Sequence, residues 1–200
     1  MRGCLLLVAL VAPACGDDAA ADDALAGIVR EPAPVVGELR LPDAVTGEQV
    51  ALRAAPGGLL VVYFGYLSCP DVCPTTMADL RTALGTLDRA ARARVDVVMT
   101  TVDPGRDTGV ALRAYVQAFV PEGRALRTED DAVLRAVAAP FGADYRVGTS
   151  AAGAVEVSHT AFVYVVDDQG VLRLTWPFGT TAKDLASDLE RLLARVDDAA

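Results

Sequence analysis

Three short runs rich in β-branched and apolar residues constrain this chain most: Leu59-Leu60-Val61-Val62-Tyr63-Phe64, Val95 to Val102, and Ala161 to Val166. A strand wetted on one face alternates apolar with polar residues. These runs instead suit strands covered on both faces, as in a parallel sheet between helices. Helical spacing fills the gaps. Met77, Leu80, Leu84 and Leu87 recur every three or four residues. So do Leu112, Tyr115, Val116 and Phe119, after Thr108 as a cap, then Val133, Leu134, Val137 and Phe141, and last Leu185, Leu189, Leu192 and Val196. Val171 to Trp176 follows the turn Asp167-Asp168-Gln169-Gly170 and should pair back onto Ala161 to Val166. Gly37 to Leu41 and Gln49 to Leu52 flank turn residues and predict a leading hairpin. The expected class is α/β, a central mixed sheet flanked by helices. At 200 residues without an internal repeat, one domain is expected.

That order of elements resembles a thioredoxin-like fold. The chain carries 18 basic against 27 acidic side chains, a net charge of -9, which argues against a nucleic-acid partner. Four Cys and one His are too few for a disulfide-stapled miniprotein or a four-ligand zinc finger.

The N-terminus reads as a targeting segment. Arg2 precedes an apolar run, Leu5 to Ala12, far too short to span a bilayer, and small residues follow. Val11-Ala12-Pro13-Ala14-Cys15 resembles the lipobox of bacterial lipoproteins, with Ala12 where Leu is usual. A plain cleaved signal with an incidental Cys is the alternative. The expected division is a signal peptide over 1–14, cleaved before a lipidated Cys15, and a flexible Ala/Asp-rich spacer over 15–35. The folded domain is expected over 36–197. Such a protein is exported and anchored by lipid to the bacterial membrane, facing the periplasm or extracytoplasmic side.

The chemistry concentrates in Ser68-Cys69-Pro70-Asp71-Val72-Cys73-Pro74, between a buried strand and a helix. Free N–H groups at a helix start favour thiolate, which serves both disulfide exchange and soft-metal binding. Three residues separate the two cysteines, so the thiols can open around an ion as well as close on each other. A stabilising disulfide is the bland alternative, though so short a loop gains little from closure. His159 precedes the third buried run. In a thioredoxin-like fold that position faces the helix-start cysteines. Two thiolates and an imidazole favour Cu(I) or Cu(II) over hard cations, and zinc stays open.

Cys69-Pro70-Asp71-Val72-Cys73-Pro74, Val102-Asp103-Pro104-Gly105-Arg106-Asp107-Thr108 and Ser158-His159-Thr160 together resemble the SCO/SenC family of copper proteins. The resemblance spans about Val36 to Val196. It implies a thioredoxin-like fold and one copper ion held by Cys69, Cys73 and His159. It also implies a membrane tether and a metallochaperone role at the binuclear copper site of cytochrome c oxidase subunit II. That role is copper delivery, reduction of the recipient cysteines, or both. Another cuproprotein, other copper chaperones and a thiol reductant are further candidate partners. Asp71, Asp103, Arg106 and Asp107 are candidates for tuning the site or meeting a partner, with a solvated acid and a helix-entry ion pair as the plainer readings. The competing function is a thiol–disulfide oxidoreductase that needs Cys69 and Cys73 but no metal.

Overall fold

A computed structural model describes residues 24–198. The segment expected to be a signal peptide and Cys15 lie outside the described residues. Among the described residues no helix is long and apolar enough to cross a membrane.

The leading hairpin is present as β1 (Arg40–Pro42) and β2 (Gln49–Ala51), a separate two-stranded ribbon. The chain then enters β3 (Leu59–Gly65), all seven residues of which are buried. Helix α1 (Val72–Thr86) and a short α2 (Arg89–Arg92) lead into β4 (Val95–Thr101), parallel to β3. Helix α3 (Gly109–Phe119) and β5 (Arg124–Leu126) extend the parallel part. Helix α4 (Asp131–Phe141) stops at Gly142, whose φ of 70° only glycine adopts without strain. A second ribbon follows, β6 (Tyr145–Thr149) with β7 (Val155–His159). The chain closes with β8 (Phe162–Asp167), β9 (Leu172–Pro177) and α5 (Ala182–Asp198). The central sheet has the order β5-β4-β3-β8-β9, with β3 to β5 parallel and β8 and β9 antiparallel. This is the mixed, thioredoxin-like sheet expected from the sequence.

Alternation along β3 sends its side chains to two cores. On one face Phe64 meets Phe141 of α4 and Tyr164 of β8 edge-to-face, with ring centroids 5.2 to 6.0 Å apart. Tyr63 and Gly65 occupy the other face, beneath α1.

A flexible spacer over 15–35 does not hold for its second half. Ile28 bridges to Thr175 and Val35 to Val171, so this segment lies antiparallel along β9. The amides of Ala26 and Gly27 donate to the carboxylate of Asp188 at 2.9 and 3.0 Å. Trp176 Nε1 donates to the same carboxylate at 2.8 Å. The segment has no hydrophobic period because backbone hydrogen bonds fix it, and its contacts begin upstream of residue 36.

Candidate metal centre

Gly65 ends β3, and the amide of Val102 donates to its carbonyl at 2.8 Å, so the sheet is held to the edge of the site. The next loop is tied from beside it. The Leu67 amide donates to Asp107 at 3.0 Å, and Thr101 Oγ1 donates to the same carboxylate at 2.5 Å. Helix α1 begins at Val72, which places Cys73 inside its first turn and Cys69 in the loop before it. Asp71 holds the capping position without a side-chain cap bond. The Cys69 sulfur does that work, accepting from the Cys73 amide at 3.2 Å. The two cysteines are therefore a cap and a helical residue, not an i, i+4 pair along one helix.

His159 ends β7, opposite Tyr145. Its Nε2 lies 3.5 Å from Cys73 Sγ, and its Nδ1 lies 3.1 Å from the carbonyl oxygen of Thr160. A carbonyl only accepts, so Nδ1 carries the proton in the neutral ring and the lone pair of Nε2 faces the sulfurs. Orientation of the ligating nitrogen by the other ring N–H is the usual outer arrangement of a metal-binding imidazole. Tyr66 and Tyr63 stand edge-on to the ring, with centroids 5.6 and 6.1 Å away. The donor atoms of Cys69, Cys73 and His159 all lie within 4.8 Å of one another, and among the described residues no carboxylate joins the group.

Both thiols are free in this structure and differ in setting. Burial opposes the Cys69 thiolate, but hydrogen bonds from the Cys73 amide and thiol, the Asp71 amide and Tyr66 outweigh it and lower its pKa. Burial pushes Cys73 up to about 12. The expectation that the helix start favours thiolate thus holds for Cys69 alone. Desolvation exceeds the dipole at Cys73. Burial also lowers the pKa of His159, which keeps the ring neutral and able to ligate. Two sulfurs and one neutral imidazole in an aromatic surround suit a soft ion such as copper. A groove of about 650 Å³ lies beside the site, bordered by Tyr66, Ser68, Pro70, Arg106, Arg146 and Val157, and none of the three donor residues lines it.

The other candidates separate by position. Asp71 is exposed, and its carboxylate accepts from Thr75 Oγ1 at 3.4 Å. Asp103 is buried and paired to the exposed Arg106, while buried Asp107 anchors the loop that carries Cys69. Asp107 thus holds the cysteine loop. The β6–β7 ribbon that delivers His159 is absent from the elements expected above, although Val155-Glu156-Val157 alternates and Gly153 marks a turn.

The family description SCO1/SenC matches residues 29–194. The chain belongs to the SCO1/SenC family. Among solved structures, apo Sco1 from Thermus thermophilus is 30% identical with a TM-score of 0.69, and the match covers 88% of this chain and 98% of that one. ScoI of Bradyrhizobium japonicum, solved with copper bound, is 28% identical with a TM-score of 0.66 over 78% of this chain and 98% of its own. A SCO2-like protein of Rickettsia conorii is 33% identical over 118 residues, 57% of this SCO1/SenC chain and 56% of that protein. The chain spans little more than half the length of such curated relatives.

Proposed function

We propose that this chain is a membrane-tethered copper-binding protein that helps build the binuclear copper site of cytochrome c oxidase subunit II. The observation that carries the reading is the convergence of Cys69, Cys73 and His159 within 4.8 Å, with Nε2 left unprotonated by the Thr160 carbonyl. Copper is the cargo, held by two sulfurs and one nitrogen, and Cys69, the half-buried sulfur, is the one a recipient reaches. Lipid on Cys15 would place that site outside the cytoplasmic membrane, where an exported oxidase domain receives its metal. The full-length protein should bind one Cu(I), and His159→Ala should weaken binding about 100-fold, since even outer partners of a ligand are worth about 10–100-fold. Competition with a chromophoric Cu(I) chelator measures this, and an unchanged affinity removes His159 from the site. Metal analysis of protein purified without added metal separates copper from zinc.

The unequal thiols favour reduction of a partner's cysteines as a second activity. Cys69, half-buried with a lowered pKa, attacks a disulfide of the partner and releases one partner thiolate. Cys73 then loses its proton and attacks the Cys69 sulfur of the mixed disulfide, releasing the second partner thiolate. The pair ends oxidised and the partner has gained two electrons. His159 takes no part, so His159→Ala should retain exchange while losing copper.

A further inference from the structure

Helix α4 grips the base of the ribbon that carries His159. Asp131 and Arg135, one turn apart on α4, form an ion pair at 2.7 Å, and both side chains are at least half exposed. A surface pair of this kind contributes little by itself. Here it closes on a third residue. Tyr145 of β6 is buried, and its hydroxyl donates to Asp131 at 2.7 Å. The Arg135 guanidinium carbon lies 4.4 Å from the centre of the same ring, and Arg135 Nη1 donates to the Tyr145 carbonyl at 3.4 Å. Tyr145 stands directly opposite His159 in the ribbon. The residues just outside that pair are tied as well. The Thr160 amide donates to the Asp144 carbonyl at 2.8 Å, and the Asp144 amide donates to Thr160 Oγ1 at 3.0 Å. Thr160 is the residue whose carbonyl faces His159 Nδ1. On the side of the cysteines, Tyr66 donates to the Val157 carbonyl at a longer 3.5 Å, and residues 151–156 toward the turn are exposed. A continuous chain of contacts thus runs from α4 through Tyr145 and Asp144 to the imidazole.

We propose that Asp131 and Arg135 are positioning residues of the candidate metal centre: clasped on Tyr145, they hold the ribbon against α4 so that His159 stays presented to the two sulfurs. The inference rests on the copper reading above. Both residues lie outside the donor group, so the clasp acts through the ribbon. Tyr145→Phe keeps the ring and removes the bond to Asp131. In the metal-free protein it should speed amide exchange of β6 and β7 about tenfold, the size expected for a hydrogen bond to a charged group, while β3 amides keep their wild-type rates. Cu(I) release from the loaded full-length protein to excess chelator should quicken by a similar factor. Asp131→Ala should do the same from the other side of the bond. The double variant should be no faster than Asp131→Ala alone, because both changes remove one shared interaction. In a His159→Ala background, Tyr145→Phe should leave copper release unchanged, since the donor it positions is gone.

Wild-type exchange rates in β6 and β7 of the Tyr145→Phe protein overturn this inference alone. So does faster exchange with wild-type copper release, because the clasp would then hold the ribbon without serving the site. An effect of Tyr145→Phe on release that persists without His159 overturns it too, as does an equal acceleration in β3, which marks a global loss of stability. A wild-type protein that takes up no copper overturns the copper reading and the positioning role with it, while the exchange rates still show whether the clasp holds the ribbon.

Discussion

Gly65 leaves no room for a side chain. A methyl group there would sit 2.8 Å from Tyr63 Cε1, 2.9 Å from Met99 Cε and 3.2 Å from Cys73 Sγ. The methionine end can swing away, but the ring and the sulfur are held by buried neighbours. Gly65→Ala should cost about 1–3 kcal/mol in urea unfolding, the usual range for overpacking, and should also weaken copper binding by displacing Cys73. Asp43 is a purely structural counterpart. Its carboxylate accepts from the amides of Val45 and Thr46 and pairs with Arg113. Burial pushes its pKa up, but those amides and the guanidinium together bring it below the ordinary 3.8. A lowered folded-state value means the stabilisation is present above the unfolded-state pKa and is lost as pH falls through the folded one. Asp43→Asn should flatten the loss of stability on acidification below about pH 4, read from urea midpoints across the acid range.

Among the elements, α5 fastens the leading segment and β9 through one side chain. Asp188 is fully buried and accepts from Trp176 and from two amides of the leading segment. Asp188→Ala would leave those three donors unpaired and should cost about 3 kcal/mol or more, since each orphaned group costs about 1–3 kcal/mol. A chain begun at residue 36 should be destabilised in the same assay, with Trp176 as the fluorescent probe.

What the sequence reveals about these elements follows from burial. The runs that became β3, β4 and β8 were legible because both faces are covered, so their composition records the burial. The β6–β7 ribbon is mostly exposed and only five residues long on each side, which leaves a weak alternation. The docked segment before residue 36 was unreadable because its partners, Asp188 and Thr175, lie far along the chain. Cys69, Cys73 and His159 were legible as a set through chemistry and order.

On the scale of the whole molecule, the candidate metal centre sits at the C-terminal ends of β3 and β4, the end where open α/β sheets gather ligands. The opposite end is closed by Arg94, which pairs with Asp197 of α5 at 2.6 Å and donates to the Gly57 carbonyl. Because the ligands come from β3–α1 on one side and β7 on the other, an ion bound there joins segments distant in sequence. Metal that binds only the native state stabilises it by mass action, about 4 kcal/mol when free ion exceeds the dissociation constant a thousandfold. Cu(I) loading should therefore raise the melting temperature by several degrees, and a strong Cu(I) chelator should return it to the metal-free value.

The three donors are not held with equal firmness. Cys73 belongs to a helix packed on the central sheet, while His159 ends a ribbon that pairs with none of the central strands. Such a ribbon opens locally at a lower free energy than the sheet beneath it. Amide hydrogens of Tyr145 to His159 should exchange quickly without metal and slow markedly on loading, while those of β3 stay protected in both states. Copper retention would then be governed by the opening rate of this hairpin, at which one donor leaves and two remain.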